Sequence, residues 1–194
     1  MRLLILLTLF ITSTSVLSFQ VQPMIAELKS IGTHSQQIMR IVNTADTPLT
    51  IDISSYDLQL TEQGEELLSI NEDDFLIIPM TTIIPAGKSQ SVIVRYIGEP
   101  ILKSSKAYRI FVDQVSVDLG NTTQSGVGMN LSFRTLFNVV PQNAKAKLVI
   151  KNKRQAENNN WKVLIDNIGN KYISLSKAQW VIKGNNEKFV LEGE

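Results

Sequence analysis

The single histidine of this chain, His34, lies in a Gly-Thr-His-Ser turn, and the chain has no cysteine. That inventory leaves neither a catalytic dyad nor a zinc set. Glu72-Asp73-Asp74 are three carboxylates in a row, but they lack the alternating spacing of a calcium loop and read as a solvated acidic turn. No glycine motif could cradle a phosphate. Asn121-Thr122-Thr123 and Asn130-Leu131-Ser132 match the glycosylation sequon, which matters only on a eukaryotic secretory route. For Arg109 the expected use is a structural ion pair with Asp113 or another acid, worth about 0.2–1 kcal/mol. No cofactor is implied. The residues point to binding, and the feature that could bind is apolar.

That feature is Val127 to Val140, VGMNLSFRTLFNVV. Val127, Met129, Leu131, Phe133, Phe137 and Val139 alternate with Asn130, Ser132, Arg134 and Asn138, and Thr135 is the one polar break in the apolar row. Successive strand side chains point to opposite faces, so the pattern lines one face of a long strand with large apolar groups. A strand of ordinary length has about 5–6 residues. The row could be the core face of an ordinary half-buried strand, or it could pack against something else.

The elements that hold this strand are themselves strands. Phe19 to Leu28 alternates until Pro23, which belongs on an edge or at a switch between sheets. Gln36 to Asn43 follows, with Ile38 and Ile41 expected inward. Leu49 to Leu60 alternates with a one-residue change of phase, which suggests a bulge near Ser54-Ser55. Thr61 to Glu66 reads as a turn. Phe75 to Ile78, Ser89 to Tyr96 and Ala107 to Val117 complete about seven strands with the last one, separated by Gly, Pro, Asn and Asp turns. No amphipathic helix is evident. The expectation is an all-β, immunoglobulin-like antiparallel sandwich without the Cys-Trp-Cys centre of antibody domains.

Residues 1–18 read as a secretory signal peptide, with Arg2, an apolar stretch from Leu3 to Ile11, and Val16-Leu17-Ser18 before cleavage at Phe19. An uncleaved anchor is the alternative, although the run is shorter than the ~20 residues that span a bilayer. Removal leaves 194 − 18 = 176 residues and 19 − 1 = 18 basic against 18 acidic side chains. A neutral exported chain offers no reason to expect nucleic acid or stable membrane insertion. Without disulfides it must rely on core burial. Residues 19–141 form the sandwich. Residues 142–194, starting with a polar basic linker at Gln142 to Lys147, carry four short strand signals. These are Lys147–Lys151, Trp161–Asp166, Ser174–Ile182 and Lys188–Leu191, expected as a short or incomplete second β domain.

The order of FQVQPMIAEL, IMRIVNTADTPLTIDI, LIIPMTTIIPAGKSQSVIVRY, YRIFVDQV and the final strand running into VVP resembles the periplasmic chaperones of the chaperone–usher pilus pathway, the PapD-like superfamily, and most of all its archaic branch. The resemblance covers Phe19 to Pro141 well and the remainder weakly. It implies a non-enzymatic chaperone in the periplasm. Such a chaperone lends its last first-domain strand to a pilus subunit that lacks one, then hands the subunit to an outer-membrane usher. The lent residues would be Val127, Met129, Leu131 and Phe133. The free strand invites self-association. The family also grips the subunit's terminal carboxylate with a cleft Arg on the first strand and a Lys on the last. Phe19 to Leu28 has neither, so Arg134, Arg109 and Lys29 become the candidate anchors. The competing expectation is a secreted structural or adhesive immunoglobulin-like module that never lends a strand.

Overall fold

The structure is a computed structural model that describes residues 19–115, 130–155, 160–183 and 188–191. Val127 and Met129 therefore lie outside the described residues. Ten strands build the first unit: β1 Phe19–Gln22, β2 Ile25–Lys29, β3 Gln36–Asn43, β4 Leu49–Leu60, β5 Glu66–Ile70, β6 Phe75–Ile78, β7 Thr81–Ile84, β8 Ser89–Tyr96, β9 Lys106–Gln114 and β10 Ser132–Val140. They form two sheets, β1-β3-β8-β6 and β2-β10-β9-β4-β5, with β7 on the flank of β4. The alternating apolar residues of both sheets face one another across the core. Met39, Ile41, Ile51, Ile53, Val92, Val94, Ile110, Val112 and Phe137 are fully buried in it. This is the expected sandwich, with one parallel pair, β2 on β10, among the antiparallel ones.

Pro23 separates β1 from β2, and the chain changes sheets there: β1 pairs with β3, and β2 with β10. Proline cannot donate to a ladder, so a sheet switch is where it fits. Three expectations need correction. Ile38 is exposed, and Met39 and Ile41 carry the inward phase of β3. The Thr61–Glu66 turn leads straight into β5, which the sequence reading missed along with β7.

The third concerns β4. Its register with β9 runs without a break from Ile51 to Leu58, so there is no bulge at Ser54-Ser55. Ser55 keeps the inward phase and donates to the Asn71 carbonyl. The change of phase has another cause. Tyr56, Leu58 and Leu60 are apolar on the opposite face of the sheet, so the two halves of β4 serve two different surfaces.

The second unit holds β11 Leu148–Gln155, β12 Trp161–Asn167, β13 Trp180–Lys183 and β14 Lys188–Leu191. They pair only in twos, β11 with β12 and β13 with β14. The expected Ser174–Ile182 strand is shorter, because Leu175–Lys177 forms a 3-10 turn before it.

Candidate functional site

Two features of β10 define the first candidate site. Along its core face, Val139, Phe137 and Thr135 are fully buried, whereas Phe133 and Leu131 are half-buried against the end of the same core. Thr135, the polar break in the row, is accommodated because its hydroxyl donates to the Ile110 carbonyl at 2.9 Å. The row thus runs off the end of its own sandwich, where the Phe133 ring meets Phe19.

The second feature is the edge. β9 pairs with β10 from Ser132 to Val139, but β2 pairs only from Leu136 to Val140. The first bond on the β2 side is Leu136 N–H to the Met24 carbonyl, 2.8 Å. Gln114 N–H binds the Leu131 carbonyl at 2.9 Å, so the odd-numbered backbone groups turn to β9 and the even-numbered ones away from it. Among the described residues no strand pairs with that edge over Ser132–Thr135. The Arg134 carbonyl accepts only a long bond, 3.4 Å, from Arg109. Pairing on the β2 side is therefore complete at one end of the strand and open at the other, a change that occurs at Leu136.

The second candidate site is the outer face of this sheet, where it meets the second unit. A cleft of about 690 Å³ lies there, lined by Ile25, Leu58, Leu60, Ala107 and Leu136 on one side and Ile173 and Ala178 on the other. The apolar second half of β4 belongs to this wall. Glu27 stands beside its register partner Asn138. The Glu27 carboxylate accepts from Lys171 Nζ at 2.9 Å and from the Tyr172 hydroxyl at 3.0 Å. Two more bonds join the units: Tyr172 N–H to Ser105 Oγ at 2.7 Å, and Ser105 N–H to the Asn170 carbonyl at 3.0 Å. Partial burial works against ionisation of Glu27, but the Lys171 and Tyr172 hydrogen bonds outweigh it and hold the carboxyl below its usual range. Burial, and then the bond to Glu27, push the Tyr172 phenol up to about 12.

The basic candidates are spread over this face. Arg109 lines the cleft and is forked onto Glu66, which of the expected structural acids is the one it pairs with, in place of Asp113. That bond holds the Glu66 carboxyl low. Arg134 lies outside the cleft lining, exposed, its guanidinium 4.8 Å from the centre of the Phe111 ring. Lys29 ends β2, 3.9 Å from Glu27. The cation that bonds across the inter-unit contact to Glu27 is Lys171. It was missed because nothing in Gly-Asn-Lys-Tyr marks it, and only folding brings it to Glu27, 144 residues away in the chain. Among the described residues no group of three or more metal-ligating side chains converges, and no helix is long and apolar enough to cross a membrane.

No family model matches the chain, and neither does any curated protein. Solved structures do resemble it. The class 5 fimbriae chaperone CfaA superposes with a TM-score of 0.64 at 20% identity, over 91% of this chain and 83% of that one. A chain of the CsuC–CsuE chaperone–tip adhesion subunit pre-assembly complex, from the archaic chaperone-usher Csu pili of Acinetobacter baumannii, gives 0.58 at 14% identity over 91% and 83%. A chain of the Salmonella enterica complex of SafA pilin with the SafB chaperone gives 0.55 at 11% identity over 93% and 82%. At these identities the likeness speaks for architecture. By fold, this chain is an all-β, immunoglobulin-like sandwich with the architecture that those chaperone structures share.

Proposed function

We propose that this protein is a non-enzymatic periplasmic chaperone that binds pilus subunits by donor-strand complementation and passes them to an outer-membrane usher. The observation that carries the reading is on β10: among the described residues no strand pairs with its β2-side edge from Ser132 to Thr135, while its core-facing row runs past its own sandwich. An incoming incomplete sandwich would find main-chain donors and acceptors along that edge, and alternate apolar side chains to fill its groove. Val127, Met129, Leu131 and Phe133 are the side chains it would take. Burial of each contributes roughly 1.5–3 kcal/mol by area, part of which is offset by the cost of ordering the complex. The signal-peptide pattern of residues 1–18 and the likeness of the fold to solved pilus chaperones support the periplasmic setting. Arg109, Arg134 and Lys29 remain the proposed carboxylate anchors. Arg109 would have to exchange Glu66 for the subunit's terminus.

The test is co-expression with a pilin-like subunit, comparing the wild type with Met129→Glu, Leu131→Glu and Phe133→Glu. The expected result is a soluble complex with the wild type and none with the charged variants. A complex indifferent to all three would overturn strand donation. The competing reading, a structural module, is favoured by the burial of Phe137 and Val139 in the protein's own core. Failure of the wild type to capture any subunit would leave that reading standing.

A further inference from the structure

In the second unit no described residue from 142 to 183 is buried. Trp161 is 62% exposed, Leu164 62% and Ile150 66%. A two-stranded hairpin on its own is marginal in water, and an unpaired strand edge recruits partners.

β12 reads Trp161-Lys162-Val163-Leu164-Ile165-Asp166-Asn167. Its edge away from β11 carries no strand among the described residues. Ile168 N–H bonds the Lys147 carbonyl of the neighbouring chain segment at 2.8 Å. By the alternation of an antiparallel ladder, Trp161, Val163 and Ile165 then turn their backbone groups to the open edge.

The strand is also self-complementary. Lay it antiparallel against a copy of itself with a two-fold axis at Leu164. Lys162 then stands opposite the partner's Asp166, and Asp166 opposite the partner's Lys162. Val163 faces the partner's Ile165, and Leu164 faces its own equivalent. Both charge pairs are attractive and every other central pair is apolar. Such cross-strand pairs are the unit of sheet stabilisation. The axis falls on a non-hydrogen-bonded pair, so the outward groups of Val163 and Ile165 form the bonds on either side of it. Asp166 also lies 3.6 Å from Lys151 in its own chain, but both side chains are about half exposed, and such a pair contributes little.

We propose that two copies of this chain associate through β12, forming a four-stranded sheet β11-β12-β12-β11 about a two-fold axis at Leu164. An isologous contact of this kind closes on itself and makes a dimer, not a fibre. The side chains of Trp161, Val163 and Ile165 from both copies then share one face, flanked on each β11 by Ile150 and by the polar Lys153 and Gln155. This surface is separate from β10, so the dimer and strand donation stand or fall independently.

Light scattering and sedimentation of the purified full chain, from ~1 to ~100 μM, test the proposal. The wild type is expected as a dimer in this range. Lys162→Glu sets two carboxylates opposite each other twice, and Asp166→Lys sets two ammonium groups opposite each other twice. Each is expected to weaken the dimer about tenfold. The double swap Lys162→Glu/Asp166→Lys restores attraction and is expected to return affinity to within about threefold of wild type. Circular dichroism monitors folding. Should a charge reversal unfold the chain, Lys162→Gln and Asp166→Asn take its place, each weakening the dimer about threefold. A wild type that stays monomeric, a dimer indifferent to both single changes, or a double swap that fails to rescue would overturn it. So would a dimer lost with Phe133→Glu, which would put self-association on β10.

Discussion

The rings of Phe19 and Phe133 meet edge to face, centroids 4.8 Å apart. Phe19 opens β1 in one sheet and Phe133 lies near the start of β10 in the other, so this contact closes the end of the sandwich that β2 pairing on β10 does not reach. Phe133 is half-buried there and Phe137, further along the same face, is fully buried.

The two phenylalanines are therefore expected to respond differently to truncation. Phe137→Ala removes a fully enclosed ring and should cost about 3–5 kcal/mol. Phe133→Ala should cost about half as much, because its ring already has solvent on one side. Urea unfolding of both variants gives the comparison. Equal losses would mean that Phe133 is core, with nothing left to lend.

Glu27 predicts the pH dependence of the contact between the units. Its folded pKa lies below the ordinary 4.5. The stabilisation by Lys171 and Tyr172 is thus fully present above that value and is lost as pH falls through the lower folded one. In acid titration monitored by unfolding, Glu27→Gln should be less stable than wild type at neutral pH, and the two should converge once pH has fallen through the lowered folded pKa of Glu27. On the alkaline side Tyr172 holds its proton until about 12, above the usual 10, so stability falls as pH rises across that interval. The Glu27→Gln change should move the Tyr172 phenolate transition, read by ultraviolet absorbance, back towards 10. A transition unmoved by the substitution would mean that the hydroxyl does not sense Glu27.

Gly98 is required by its neighbours. A Cβ there would stand 2.2 Å from Asp74 Oδ1 and 2.8 Å from the Tyr96 hydroxyl. Asp74 is not free to move away, since it accepts from the buried Tyr108 hydroxyl at 2.6 Å and from Asn71 Nδ2 at 3.2 Å. Gly98→Ala should destabilise by about 1–3 kcal/mol, as overpacking does. Thermal or urea unfolding checks this, and a neutral result would mean that the Asp74 cluster is looser than its bonds suggest.

Much of the first unit was legible in the residues. β3, β4 and β8 have the bounds that alternation gave, because one face of each is buried, and β6 has those of an apolar run closed by Pro79. Pro23 announced the change of sheet. The short β5 and β7 were not legible: Glu66–Ile70 has no buried residue to set a period, and Thr81–Ile84 is four residues on the flank of β4. The phase change in β4 was visible, but its meaning was not. A bulge and a change of apolar face leave the same trace in a sequence, and only the unbroken pairing with β9 distinguishes them.

By itself, the sequence determined the class of the fold, the course of most strands and the long apolar row of the last one, since each depends on residues adjacent in the chain. The tertiary structure alone decided how that row is divided between its own core and an open edge, because the division depends on where β2 stops beside β10. It alone brought Glu27 to Lys171 and Tyr172. Contacts between residues so far apart in the chain leave no periodic signal, and only the docking of one unit on the other creates them.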